Sequence, residues 1–310
     1  MYRRHLLLNL ILVSSFFMVI FGLNFIVDPY NYNNIFDFNL DKKSISYKKH
    51  YRLYKMIEFK NNPKSSIILG DSRGGLLKES NFIEKDIYNF SYGGGSLSEV
   101  IDTFWFADKH RKIKKVILTI PFSMYNEYEY MNLTKEAQDF INKPYKYYFS
   151  IFITKISIIN LYAKVFNKEI NFEAPNINKQ QFWKQQLNTA NRFYTQYKYP
   201  EYLFNELKKI SLYSNKNNIE LKILIPPAYI KLQDKINEFN LNNEYVNYKN
   251  DLCSLGKVYD FDYKTDITLN RDNFNDPFHW KDEVTKSIIN DLIYNKYVFS
   301  KKCLDKNNKS

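Results

Sequence analysis

The sequence predicts a three-layer α/β sandwich around a parallel, flavodoxin-like sheet, preceded by one transmembrane helix. Three observations carry that expectation. Short apolar runs recur at 65–69, 86–90, 115–120, 221–225 and 258–261, several of them ending at glycine or proline. Segments with apolar residues at helical spacing, 97–110, about 202–215 and 281–297, fall between or after them. Runs that short and that apolar belong in a sheet whose two faces are both covered by helices. A hydrophobic fraction of 45% in 310 residues is ample for such a core.

The first element is the N-terminal one. Residues 6–27 read LLLNLILVSSFFMVIFGLNFIV, without a charge, between Arg3 and Arg4 on one side and Asp28 on the other. That length spans a bilayer once, and the basic flank places the N-terminus in the cytoplasm and the rest outside. No Ala-x-Ala cleavage site follows, the first alanine being Ala107, so the segment reads as an uncleaved anchor. The stretch 147–165 is interrupted by Lys155 and polar residues and is not expected to form a second span.

The expected division is therefore a cytoplasmic flank and anchor at 1–28, a stalk at 29–62, a domain at 63–300 and a charged tail at 301–310. A helix at about 47–60 ends before Pro63. The long stretch at about 126–200, rich in Tyr, Gln and Asn and poor in strand signals, reads as a helical insertion over the site.

Composition excludes several functions. The net charge of +12 accompanies no RNP-like, zinc-finger or helix-turn-helix signature, so nucleic acid is not an expected partner. Two cysteines, Cys253 and Cys303, can build neither a disulfide-dense scaffold nor a thiolate zinc cluster, and whether they pair is left open. Four scattered histidines give no metal spacing, and no metal or cofactor is expected. His50 and His110 lie among basic residues and are expected to be solvated. The Gly93–Gly95 turn lacks the lysine of a phosphate loop.

In a parallel sheet, ligands gather beyond the carboxyl ends of the strands. Gly70-Asp71-Ser72, Gly93 to Gly95 and Thr119 to Ser123 all stand at such ends, and Asp276-Pro-Phe-His279 precedes the last helix. A serine nucleophile needs a base and a group that orients the base. Ser72, His279 and Asp276 fill those roles, with Asp71 expected to hydrogen-bond within the Ser72 loop.

Ile-Leu-Gly-Asp-Ser-Arg near the start and Asp-Pro-Phe-His near the end resemble the first and last blocks of the SGNH/GDSL hydrolase superfamily. The resemblance spans about 65–295. It is strongest to the membrane-anchored extracytoplasmic branch, which includes the alginate O-acetylation and teichoic-acid D-alanylation proteins. It implies Ser72 as nucleophile, His279 as base, Asp276 as its partner, Arg73 as a substrate-binding group, and an oxyanion hole from the Ser72 N–H with Gly93 or Gly94. The superfamily's Gly-x-Asn-Asp block is not matched: the corresponding stretch reads Thr-Ile-Pro-Phe-Ser-Met-Tyr-Asn, leaving Ser123 or Asn126 as substitute donors. The implied activity is transfer or hydrolysis of acyl groups on a cell-envelope polysaccharide or teichoic-acid-like polymer, together with a polytopic membrane O-acyltransferase. A non-catalytic glycan-binding scaffold with the same fold is the alternative.

Overall fold

The computed structural model describes residues 2–129, 132–170 and 178–303. The chain forms two compact units, Met1–Asn62 with Leu133–Pro175, and Pro63–Asn132 with Asn176–Ser310. The insertion expected at about 126–200 is thus divided between them.

The first unit is helical. Its helices are α1 (Tyr2–Val27), α2 (Tyr51–Asn61), α4 (Thr134–Asn142), α5 (Pro144–Tyr148) and α6 (Ile151–Val165). α1 is long and apolar enough to cross a membrane, and most of its surface is uncovered. Beyond it, the Asp28 carboxylate is buried and accepts the N–H groups of Tyr32, Asn33 and Asn34 and the hydroxyl of Tyr147. Tyr32 in turn donates to the Ile141 carbonyl at 2.9 Å. The residues expected as a stalk are therefore folded against the α4–α6 segment within this unit.

The helix expected from residue 47 begins at Tyr51, because the His50 ring accepts the Leu53 N–H at 3.3 Å and caps it. His50 is not solvated as its neighbours suggested. Its side chain is 12% exposed, and burial, reinforced by the Arg52 charge, lowers its pKa from 6.5 to about 4. His110 is half-buried, its ring bonded to the Phe106 carbonyl.

The second unit holds the sheet: β1 (Ser66–Gly70), β2 (Ile87–Asn89), β3 (Lys115–Thr119), β4 (Glu220–Ile225) and β5 (Lys257–Asp260). All neighbours are parallel, in the order β2-β1-β3-β4-β5, which is the flavodoxin-like arrangement. Its helices are α3 (Leu97–His110), α7 (Lys179–Thr195), α8 (Glu201–Lys216), α9 (Ile230–Glu238), α10 (Asn242–Leu255), α11 (Asp266–Leu269) and α12 (Asp282–Tyr294).

Ile68, Ile117, Leu224 and Tyr259 share one core cluster with Trp280, Ile288 and Leu292 of the C-terminal segment. The alternate residues Ile67, Val116 and Ile223 are buried on the opposite face, where α3 and α8 meet β1 and β4. A capping box, Ser96 with Glu99, starts α3 where the sequence placed it. α12 ends at Tyr294, ahead of the expected 297, because Asn295 turns left-handed at φ 55°.

Cys253 and Cys303 are joined in a disulfide. Lys301 exchanges both backbone hydrogen bonds with Asp260, so the start of the expected tail is fixed; 304–310 lie outside the described residues.

Candidate active site

The Ser72 turn leaves the carboxyl end of β1, and its neighbours bind each other across it. Asp71 Oδ1 accepts the Arg73 N–H at 2.9 Å, while Oδ2 accepts from Nε at 2.9 Å and from Nη2 at 2.6 Å. Nη2 also donates to Ser123 Oγ at 2.8 Å, on the turn after β3, which reaches this point because Gly70 stands in register with Thr119. The Asp71–Arg73 ion pair is buried, with the guanidinium 5.5 Å from the centre of the Phe278 ring.

The opposite wall is a hairpin. Phe274 and Trp280 pair antiparallel at its foot, Asn275 N–H donates to the His279 carbonyl at 2.7 Å, and the Trp280 indole donates to Thr285 of α12. At the tip, Asp276 Oδ1 accepts the N–H groups of Phe278 and His279 at 2.9 and 3.2 Å. Asp276 Oδ2 is 2.7 Å from His279 Nδ1, and His279 Nε2 is 2.7 Å from Ser72 Oγ. A carboxylate at Nδ1 holds the proton there, which leaves the Nε2 lone pair to accept the serine O–H. The chain from hydroxyl through imidazole to carboxylate is complete.

Beside it lies the glycine turn, where Tyr92 N–H donates to the Gly70 carbonyl and Gly95 N–H to the Tyr92 carbonyl, both at 2.9 Å. Gly94 has φ +62°, which side chains disfavour. A Cβ on Gly95 would stand 2.9 Å from the Tyr92 oxygen and 3.2 Å from that of Gly70, so only glycine lets this turn approach β1 so closely. Gly93 and Gly94 occupy its tip.

Of the residues singled out by sequence, Ser72, His279 and Asp276 form one bonded group, and Arg73 and Ser123 a second beside it. Asn126 joins neither. Its amide donates to the Phe193 carbonyl, and its oxygen accepts the N–H groups of Tyr128 and Lys198, which fixes that turn. Sequence reading missed that the Arg73 charge is held by Asp71 and Ser123; the one signal available was an acid and a base flanking Ser72. It also missed a cleft of about 340 Å³ at the hairpin's foot, lined by Lys179, Arg271, Lys281 and Asp272, with the Arg271 guanidinium 4.4 Å over Trp183. Among the described residues none of these three cations forms an ion pair.

No family model matches this chain, and no curated protein does. Among solved structures it is similar to a proposed platelet activating factor from Streptococcus pneumonia (11% identity, TM-score 0.42, covering 81% of this chain and 94% of that one). It is also similar to a GDSL-like lipase from Bacteroides thetaiotaomicron (10%, TM-score 0.36, 81% and 96%) and to a proposed acylhydrolase from Bacteroides fragilis (11%, TM-score 0.35, 76% and 86%). Likenesses this distant decide nothing about the chemistry.

Proposed function

We propose that this protein is a membrane-anchored serine acyltransferase or esterase of the SGNH type, acting outside the cytoplasm on a cell-envelope glycan. The observation that carries this reading is the pair of 2.7 Å contacts linking Ser72, His279 and Asp276. Ser72 Oγ attacks the ester carbonyl of an acyl donor while His279 Nε2 takes its proton, and Asp276 stabilises the imidazolium that forms. The tetrahedral oxyanion is bound by the Ser72 N–H and by an N–H of Gly93 or Gly94. Collapse breaks the donor's ester bond, and His279 returns the proton to the leaving alcohol. A glycan hydroxyl or water, deprotonated by His279, then attacks acyl-Ser72 and releases the serine.

Asn126, one of the two substitute oxyanion donors, is bonded elsewhere, and loss of one such donor costs about 2.7–4 kcal/mol. That favours transfer to a bound sugar over rapid turnover of small esters. The cationic cleft supports a polymeric substrate: Trp183 at the cleft and Phe193, whose ring meets Phe278, lie ten residues apart on α7, about 15 Å along the helix. Arg271, preoriented on Trp183, suits a carboxylate or phosphate on that polymer. α1 with its basic flank supports the anchor and its orientation, and the disulfide fits an oxidising compartment. A polytopic O-acyltransferase as acyl donor follows from the same reading.

The test is intact-mass analysis of the full chain in nanodiscs after incubation with an acetyl ester, beside glycan acylation in complemented cells. An acetyl adduct on the native chain that disappears in Ser72→Ala is expected. Full glycan acylation by a folded Ser72→Ala protein would replace this reading with the non-catalytic scaffold.

A further inference from the structure

Asn24, three residues before the end of α1, is fully buried within its unit. Its amide donates to the Tyr148 carbonyl at 2.8 Å and to Thr154 Oγ1 at 2.9 Å, and approaches the Ser150 carbonyl at 3.5 Å. Its oxygen accepts from Ser157 Oγ at 3.0 Å. One side chain of α1 thus ties together the end of α5 and the start of α6. Ser150 caps α6 by accepting the Ile153 N–H.

Deeper along α1, Phe149 packs against Phe17 and Phe21 at ring separations of 5.9 and 5.7 Å, and Tyr148 against Phe21 at 5.1 Å. Phe17 stands ten residues before Val27, about 15 Å along the helix. That is half of a hydrocarbon core about 30 Å thick. Whatever surrounds α1 at Phe17 therefore also surrounds Phe149. α6 buries Ile153, Ile156, Ser157 and Asn160 and turns outward Ile151 (69% exposed), Ile158, Tyr162 and Val165, with Lys155 the one charge in that stripe.

We propose that the start of α6, from Phe149 to Ile158, is inserted in the lipid bilayer beside α1, so that the chain enters the membrane a second time without crossing it. The occupant of the exposed stripe is lipid acyl chain. Backbone in hydrocarbon must be satisfied internally, and at the α5–α6 break Asn24 takes up the Tyr148 carbonyl and Ser150 the Ile153 N–H. The Lys155 stem is long enough to carry its ammonium to the headgroups. The inference rests on α1 being the anchor.

Nitroxide labels on the full chain in phosphatidylcholine nanodiscs test it, at Val13→Cys in α1, at Ile151→Cys and Ile158→Cys in α6, and at Leu212→Cys, exposed on α8, as the aqueous reference. The expected result is an oxygen-to-nickel accessibility ratio at 151 and 158 that matches Val13 and exceeds Leu212. Nickel access at 151 and 158 like that at Leu212, with Val13 protected, would overturn the insertion and leave the anchor standing. Nickel access at Val13 as well would overturn both. Because the discs contain no other protein, a partner-covered stripe would also read as nickel-accessible.

Discussion

Two buried carboxylates, 205 residues apart in sequence, stand on either side of Ser72 and are built alike. Asp71 accepts the N–H of the residue two further on and pairs with that residue's side chain; Asp276 does the same two and three residues on. The difference is the partner. Asp71 faces a guanidinium that binds it through Nε and Nη2, so the pair fixes a position. Asp276 faces an imidazole whose far nitrogen touches the Ser72 hydroxyl, so in the proposed function the same local geometry becomes a route for a proton.

The largest expected effect breaks the proton route. Ser72→Ala should lower kcat by about 10⁶, and adding His279→Ala should cost little more, because such groups act as one unit. Ester turnover and adduct mass measure both; additive losses would mean that the two groups act separately. Asp276→Asn keeps an oxygen for the Phe278 and His279 N–H groups but removes the charge, and about 10⁴ in kcat should go with the melting temperature nearly unchanged.

The fixed pair should answer in stability instead. Arg73→Ala leaves the Asp71 carboxylate buried without its cation and should cost about 3–5 kcal/mol in denaturant unfolding. Asp71→Asn combined with Arg73→Met should restore much of that. A double variant as unstable as the single would show that the bond to Ser123 matters more than the charge.

His50 sharpens the contrast, being a buried imidazole whose nearest carboxylate, Glu136, stands 4.0 Å away. Its pKa of about 4 lies below the ordinary 6.5, so between those values the unfolded chain binds the proton better. Stability is then full above pH 6.5 and falls on acidification toward pH 4, by at most about 3 kcal/mol. His50→Asn keeps a cap for α2 and should flatten that part of the melting-temperature profile. An unchanged slope would assign the acid sensitivity to other groups.

Much of the second unit was legible because its strands are short apolar runs closed by Gly70, Pro121 and Pro226, and because each strand end delivers a polar turn. The expectation that Ser72 and His279 meet rested on that placement together with the resemblance of their two motifs to SGNH/GDSL blocks. What stayed hidden depends on pairings between distant residues. Ser123 reaches Arg73 only through the β1–β3 register, and nothing local in 147–165 reveals that Asn24 bonds the Tyr148 carbonyl. His50 was misread because Lys48, Lys49 and Arg52 signal water, whereas the ring faces inward to close a helix.

Residues 298–303 have a consequence for self-association. β5 is an edge strand, and an open edge is a template on which another chain can add. Here Lys301 pairs with its last residue, Asp260. Asp291 gathers the N–H groups of Val298, Phe299 and Ser300, and Cys303 is bolted to α10 at Cys253. Loss of residues 301–310 would remove the pairing at Asp260 and free the Cys253 thiol in one event. The shortened chain would then present an open strand edge to a second copy and a thiol to cross-link with it.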